Sequence, residues 1–216
     1  MSAASGEDME KGEKEISSKA VIGILAVQGD FQAHSKALAH LGVPCRLVKK
    51  PSDLEGVSGL ILPGGESTTF LKFLEEEGLL EPIRQFAATH PVFGTCAGAI
   101  LMAEKVENPF QPSLGLVRMT VRRNAYGRQL ASSIQTAQPE SELQIGPEAG
   151  APLEVVLIRA PLILEVGPEV KTLARLEGKP ILVRQGRLLA STFHPELTND
   201  TRVHRYFCRM VSDNSL

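Results

Sequence analysis

The chain has 216 residues, 43% of them apolar, which is enough to bury one substantial core. Lysine and arginine total 23 against 25 for aspartate and glutamate, and this net charge of -2 gives no reason to expect nucleic acid or an anionic membrane as a partner. Cys45, Cys96 and Cys208 are too few and too widely spaced for a disulfide framework or a zinc site. No apolar run approaches the roughly 18 residues of a membrane span. We therefore expect one cytoplasmic domain with a small-molecule ligand.

Strands and helices alternate through the first half of the chain. Residues 1–19 are polar and charged, which predicts a disordered tail before a single domain at 20–212. Strands are predicted at 21–27, 45–48, 59–62 and 91–93, and helices at 31–41, 70–78, 81–89 and 97–104. This order favours an α/β fold with a doubly wound mixed sheet, mostly parallel and flanked by helices. Ligands of such sheets bind beyond the carboxyl ends of the strands.

The second half of the chain has the pattern of short antiparallel strands followed by a helix. Strands are predicted at 116–121, 155–158, 171–176, 181–185 and 188–192. Residues 137–152 are rich in glutamate, proline and glycine without periodicity, which predicts an inserted surface loop that is free to move. The apolar stripe at 201–211 predicts a final helix.

Cys96 lies where a predicted strand runs directly into a predicted helix, with Gly94 and Gly98 on either side. This is the pattern of a nucleophile elbow, because a reacting side chain on a sharp turn needs neighbours without side chains. The helix N-terminus also favours a thiolate. The other interpretation is a tightly packed turn in which Cys96 is a buried apolar residue, and these residues by themselves leave both open.

A base for Cys96 is offered by His194, which follows the last predicted strand, together with Glu196 two residues later. In an extended stretch such residues project to the same side, so Glu196 can orient the His194 imidazole. The alternative interpretation is a histidine at a strand end whose ring is hydrogen-bonded and has no catalytic role. The remaining histidines are predicted to be structural or solvated, since no acidic residue lies two positions away: His34, His40, His90 and His204.

Gly64 and Gly65 follow another predicted strand, so they lie at the same edge of the sheet as Cys96. No phosphate-binding glycine motif surrounds them. Two successive glycines can point backbone amides at an oxyanion, with the Ala97 amide as a second donor. A plain tight turn is the alternative.

Five motifs occur in order along the chain: Pro-Gly-Gly-Glu-Ser-Thr-Thr at 63–69, Gly-Thr-Cys-Ala-Gly at 94–98, Arg-Asn-x-x-Gly-Arg-Gln at 123–129, Ile-Arg-Ala-Pro at 158–161 and Phe-His-Pro-Glu-Leu at 193–197. Together they resemble the glutaminase subunits of pyridoxal 5'-phosphate synthase, a family of triad glutamine amidotransferases. The resemblance covers about 21–211. It implies a flavodoxin-like fold of the class I glutamine amidotransferase type.

The resemblance implies hydrolysis of L-glutamine through a γ-glutamyl thioester, without a cofactor or metal. Cys96 would be the nucleophile, His194 the general base and then acid, and Glu196 the residue that orients His194. Gln28 would lie near the oxyanion hole formed by Gly65 and Ala97. The implied glutamine site consists of Gly64, Gly65, Glu66, Ser67, Arg123, Ile158 and Arg159. An arginine suits the substrate α-carboxylate, and Glu66 suits its ammonium.

The resemblance also implies a partner, a (β/α)8-barrel synthase subunit that receives the ammonia within a hetero-oligomer for vitamin B6 synthesis. Glutaminase activity is expected to be low until that partner docks. The chain departs from the family at its charged tail and at the 137–152 segment, which follows Ser132-Ser133-Ile134 where the family usually has an aromatic-containing strand.

Three other functions stay open. A cysteine hydrolase of the related peptidase and chaperone type usually has histidine directly after the cysteine, where this chain has Ala97. A non-catalytic regulatory subunit would not need Cys96, His194 and Glu196. An amidotransferase that feeds a different synthase is the third.

Overall fold

The computed structural model describes residues 20–27, 29–123 and 132–213, so the predicted tail and Gln28 lie outside the described residues. Its strands are β1 Ile22–Leu25, β2 Cys45–Val48, β3 Gly59–Leu62, β4 Val92–Thr95, β5 Ala103–Glu107, β6 Val117–Arg122, β7 Ser132–Pro139, β8 Leu153–Ile158, β9 Leu162–Val166, β10 Lys171–Leu176, β11 Lys179–Gln185 and β12 Leu188–Ser191. Its α-helices are α1 Phe31–His40, α2 Ser67–Glu76, α3 Leu80–Thr89, α4 Ala97–Met102 and α5 Arg202–Ser212.

A mixed sheet of nine strands forms the centre of the described fold, in the order β2-β1-β3-β4-β12-β11-β10-β7-β8. The first five strands in this order are parallel, and the remaining pairs are antiparallel. The late strand β12 lies beside β4, with Ser191 opposite Thr95. This pairing places the start of the His-Pro-Glu motif next to Cys96, although the two are distant in sequence.

Helices cover both faces of the parallel strands, as the doubly wound prediction requires. Alternate residues of a strand point to opposite faces. Ile61 therefore shares a core with Leu38 of α1 and Phe207 of α5, whereas Leu60 and Leu62 share a core with α2, α3 and α4. The predicted α/β fold class is confirmed.

A smaller sheet has the order β5-β6-β9, and two of its strands, β5 and β9, were not predicted from the sequence. The helix predicted to end at residue 104 ends at Met102, and β5 starts at Ala103. The apolar run of α4 continues into β5 without a turn signal, so only the pairing of β5 with β6 marks the boundary. Strand β9, which pairs with β6, was also not predicted.

The predicted surface loop at 137–152 is wrong for its first three residues, which belong to β7. This strand pairs with β8 over its first six residues, from Ser132 to Ala137. Most of its side chains are polar, and Ile134 is 73% exposed, so hydrophobic alternation does not identify the strand. Backbone pairing with β8 is what makes this segment a strand.

The rest of this segment lies mostly at the surface, as predicted, but it is held to the body of the fold at several points. Leu143 is fully buried in a 3-10 turn. The buried side chain of Arg202, at the start of α5, donates to the carbonyl oxygens of Ala151 and Pro152 over 2.7 and 2.8 Å. The segment therefore joins β7 and β8 to the helix that follows the His-Pro-Glu motif.

Gly98 allows α4 to pack directly on β3. A Cβ atom at this position would lie 1.9 Å from the carbonyl oxygen of Leu62. Alanine is usually favoured over glycine inside a helix by about 1 kcal/mol, but we expect Gly98→Ala to destabilise the protein by about 3 kcal/mol because backbone must move. Urea unfolding measures this difference, and a variant as stable as the wild-type protein would contradict the close packing.

Candidate active site

Cys96 occupies the sharp turn between β4 and α4. Its φ of 47° and ψ of -101° lie in a region that residues with side chains rarely adopt. The Cys96 amide donates to Ser191 O over 2.8 Å, and the Cys96 carbonyl accepts from Ile100 N over 3.1 Å. The thiol is 3.8 Å from Ile158 O. The strained elbow predicted from the sequence is present.

His194 and Glu196 come together just beyond β12. His194 Nδ1 lies 2.8 Å from Glu196 Oε1, and both side chains are buried. The His194 amide donates to Val156 O of β8 over 2.9 Å. The predicted contact is confirmed, but the predicted extended backbone is not, because Pro195–Leu197 form a 3-10 turn that folds Glu196 back toward the imidazole.

A second carboxylate, which was not predicted from the sequence, contacts the same ring nitrogen. Asp30 Oδ2 lies 3.3 Å from His194 Nδ1. Asp30 follows β1 at the edge of the sheet where ligands bind, and this position is the signal that could have found it. In the described part of the chain, Asp30, His194 and Glu196 form the one cluster with metal-ligand geometry, their ligand atoms lying within 4.8 Å of one another.

The charges around His194 favour its protonated form. Burial lowers the pKa of His194, but Asp30, Cys96 and Glu196 outweigh burial and raise this pKa well above its usual 6.5. Burial raises the pKa of Glu196. A protonated imidazole donates from Nδ1 to Glu196 Oε1, attracts the Asp30 carboxylate and is a poor metal ligand, so hydrogen bonding and charge account for the cluster. His194 Nε2 is buried without a hydrogen-bond partner among the described residues, which leaves it free to exchange a proton with a reacting group.

The loop after β3 passes directly over His194. A Cβ on Gly64 would lie 2.4 Å from His194 Cε1, and a Cβ on Gly65, whose φ is +150°, would lie 2.6 Å from the Phe70 ring. Both positions therefore require glycine. Ala97 is the first residue of α4, so its amide has no acceptor within the helix.

Glu66 caps α2. Its carboxylate accepts from the amides of Thr68 and Thr69 over 3.1 and 2.7 Å and from both threonine hydroxyls. Arg123 Nη2 donates to it over 3.3 Å. Desolvation raises the pKa of Glu66, but the hydrogen bonds lower it to about 2. In this conformation Glu66 has no lone pair left for a substrate ammonium.

Replacing Glu66 by glutamine tests the charge of this cap. The pKa of Glu66 is lowered from 4.5 to about 2 by folding, so its ionised form stabilises the fold above pH 4.5, and this contribution is lost as the pH falls through 2. We expect the wild-type protein to be more stable than Glu66→Gln at neutral pH, with a difference that shrinks on acidification. Chemical unfolding across this range measures it, and a difference that does not vary with pH would contradict the assignment.

A cavity of about 280 Å³ joins these residues, close to the small end of ligand sites. It is lined by Asp30, Gly65, Glu66, Ser67, Cys96, Ile100, Arg123, Ile158, Arg159 and His194. All the predicted glutamine-site residues except Gly64 thus line one cavity with Cys96 and His194. Arg159 has a φ of 45°, a strained conformation of the kind that accumulates at functional sites. The Ser67 hydroxyl donates to Gln111 Oε1 over 2.9 Å.

A larger cavity, of about 430 Å³, lies at the other edge of the sheet, where Ser58, Pro91 and Arg187 precede β3, β4 and β12. None of the predicted site residues lines it. Among the described residues, no helix has both the length and the apolar character needed to cross a membrane.

The fold and the site define a class of protein, one with a cysteine, a histidine and a glutamate gathered at the carboxyl edge of a doubly wound α/β sheet. The chain belongs to the SNO glutamine amidotransferase family, which matches residues 24–213.

Individual relatives support this membership. The pyridoxal 5'-phosphate synthase subunit PdxT of Koribacter versatilis is 53% identical over 194 residues, which cover 90% of this chain and 97% of the relative. The PdxT subunit of Solibacter usitatus is 50% identical over 186 residues, covering 86% of this chain and 96% of the relative. A crystal structure of a glutamine amidotransferase is 44% identical and matches with a TM-score of 0.81 over 89% of this chain and 99% of that chain.

Proposed function

We propose that this chain hydrolyses L-glutamine to L-glutamate and ammonia and supplies the ammonia to a pyridoxal 5'-phosphate synthase. The observation that carries this proposal is the strained Cys96 in one cavity with His194, whose Nε2 has no hydrogen-bond partner among the described residues. Residues of the family's glutamine-site motifs line the same cavity. Cys96, His194 and Glu196 are the proposed catalytic residues.

The first half of the proposed reaction forms a thioester. His194 already holds the proton taken from Cys96, in keeping with the charges that favour its protonated form. Cys96 Sγ then attacks the side-chain carbonyl carbon of glutamine, and the carbonyl oxygen becomes an oxyanion. Nε2–H of His194 then donates its proton to the departing nitrogen as the C–N bond breaks. Glu196 holds His194 through Nδ1 in the orientation that this transfer needs. The products are ammonia and a γ-glutamyl thioester on Cys96.

The second half releases glutamate. His194 Nε2 removes a proton from water, the resulting hydroxide attacks the thioester carbon, and the C–S bond breaks to restore Cys96. We assign the amides of Gly65 and Ala97 as donors to both oxyanions, with Gln28 nearby. Each such donor is typically worth about 3 kcal/mol of barrier.

We propose that glutamine lies along the 280 Å³ cavity with its side-chain amide at Cys96. Arg123 and Arg159 are the candidate partners of the α-carboxylate. Gly65, Ser67 and Ile158 line the cavity, and Gly64 precedes Gly65 in the same loop. Since the Glu66 carboxylate is engaged by α2 and Arg123, binding of the substrate ammonium there requires one of those donors to leave.

We further propose that the ammonia passes to a (β/α)8-barrel synthase subunit within a hetero-oligomer, in the cytoplasm. All three cysteines are free, and Cys96 must stay reduced to react, which reducing conditions secure. Docking of the synthase is expected to order the Gly64–Gly65 loop and so raise activity.

Ammonia release with and without the synthase from the same organism tests this function. We expect low glutamine hydrolysis by the chain alone and a large rise with the synthase. Equal rates in both conditions would reject activation by the partner. No ammonia in either condition would favour a regulatory subunit, and activation only by an unrelated ammonia-using synthase would favour a different pathway.

A further inference from the structure

Two buried histidines lie behind the proposed catalytic residues and have no part in the reaction described above. His34 of α1 is fully buried, and His204 of α5 is 1% exposed. His34 Nδ1 lies 2.9 Å from His204 Nε2. The other nitrogen, His34 Nε2, lies 3.2 Å from Thr95 Oγ1 and 3.5 Å from Glu196 Oε2. His34 therefore touches both the residue before Cys96 and the carboxylate that orients His194.

Both histidines are neutral near pH 7. Burial, helped by the nearby His204 and His194, holds the pKa of His34 well below 6.5. Burial alone lowers the pKa of His204 to about 4. A neutral imidazole has one N–H donor and one bare nitrogen, so the contacts of this pair depend on which nitrogen carries each proton.

The surroundings select one arrangement of these protons. His34 Nε2 faces both the Thr95 hydroxyl, which can accept a hydrogen bond, and the carboxylate oxygen Glu196 Oε2, which would repel a bare nitrogen, so the proton belongs on Nε2. His34 Nδ1 is then the acceptor and His204 Nε2–H the donor of the 2.9 Å bond. This leaves His204 Nδ1 bare, which agrees with its having no hydrogen-bond partner in the described part of the chain. The opposite arrangement would bury an unsatisfied N–H there, which is the more costly choice.

Glu196 needs a hydrogen-bond donor near its second carboxylate oxygen, Oε2. Its side chain is fully buried, and only Oε1 reaches His194. Oε2 has no hydrogen-bond partner among the described residues, and His34 Nε2, 3.5 Å away, lies just beyond hydrogen-bond range. A buried carboxylate without donors is costly to keep ionised. An N–H dipole directed at Oε2 therefore stabilises the negative charge of Glu196, which His194 needs as its partner.

Building on the proposed glutaminase activity, we propose that His34 is a positioning residue whose Nε2–H points at Glu196 Oε2 and keeps Glu196 ionised and turned toward His194. His204 holds His34 in the required tautomer. The pair thus extends the proposed catalytic group inward from Cys96 through His194 and Glu196.

Two substitutions separate this role from simple core packing. The amide nitrogen of glutamine at position 34 reaches the place of His34 Nε2, whereas the shorter asparagine reaches only the place of Nδ1. With the synthase present, we expect His34→Asn to lower kcat about tenfold to hundredfold with little change in KM for glutamine. We expect His34→Gln to keep most of the wild-type kcat. Equal kcat in the two variants, high or low, would overturn the proposal.

Nitrogen-15 NMR of the histidine rings in the full wild-type chain tests the tautomers without any assay of activity. We expect His34 and His204 both to be neutral and protonated at Nε2, with the His204→Gln variant providing the assignment. A proton on His34 Nδ1, or a charged His34, would overturn the proposal even if His34→Asn does not fold. Loss of the proposed function itself would be seen separately, as a wild-type chain that releases no ammonia with its synthase.

Discussion

Replacing Cys96 by alanine is expected to lower glutamine hydrolysis in the presence of the synthase by about 10⁴-fold or more, because neither of the other two cysteines lines the cavity where the thioester would form. Cys45 is exposed on β2, and burial raises the pKa of Cys208 to about 12. Synthesis of pyridoxal 5'-phosphate from added ammonium should continue at the wild-type rate, since the synthase performs it. Ammonia release and product formation are measured on the same complex.

Cys45→Ser and Cys208→Ala are the matched controls for this variant, since both remove a sulfur away from the cavity. We expect each to keep glutamine hydrolysis and to be labelled by a diazo-ketone analogue of glutamine, whereas Cys96→Ala is not labelled. Substantial hydrolysis by Cys96→Ala would show that Cys96 is not the nucleophile. Labelling that is lost in Cys45→Ser and kept in Cys96→Ala would show the same.

Gly64→Ala is expected to lower kcat about 100-fold, because its methyl group would occupy the place of the His194 ring. The added Cβ would lie 2.4 Å from His194 Cε1 and 2.9 Å from Nδ1, so the imidazole must shift or the loop must lift away. A displacement of about 1 Å in a catalytic group is enough for a loss of this size. Steady-state kinetics with the synthase measure it.

Gly42→Ala is the control for the backbone effect of such a change. Gly42 has a φ of +69°, and a Cβ there meets nothing within 4 Å. We expect it to cost about 1 kcal/mol of stability and to leave kcat unchanged. If Gly64→Ala also kept the wild-type kcat, the contact between the loop and His194 would have no part in the reaction.

The candidate active site was largely predictable because its reactive parts are local in sequence. The elbow is contained in the five residues 94–98, and Glu196 is two residues from His194. Both motifs follow predicted strands, and parallel strands bring their carboxyl ends to one edge. The structure confirms that Cys96 and His194 line one cavity.

The environment of each charged group was not predictable, because it depends on contacts between distant segments. His34 looked isolated in the sequence, yet it bonds to His204, 170 residues away, and approaches Glu196. Glu66 looked like a free acceptor for the substrate, yet it caps its own helix and binds Arg123, 57 residues away.

The amino-acid sequence by itself determined the α/β class, the elbow at Cys96 and the pairing of His194 with Glu196, since hydrophobic period and short-range geometry are properties of neighbouring residues. Strand order and long-range packing decided the rest. The polar strand β7 exists because β8 supplies its backbone partners, and the charge on His194 depends on Asp30 from the first βα turn. Such contacts form only when segments far apart in the chain meet, and no local pattern records them.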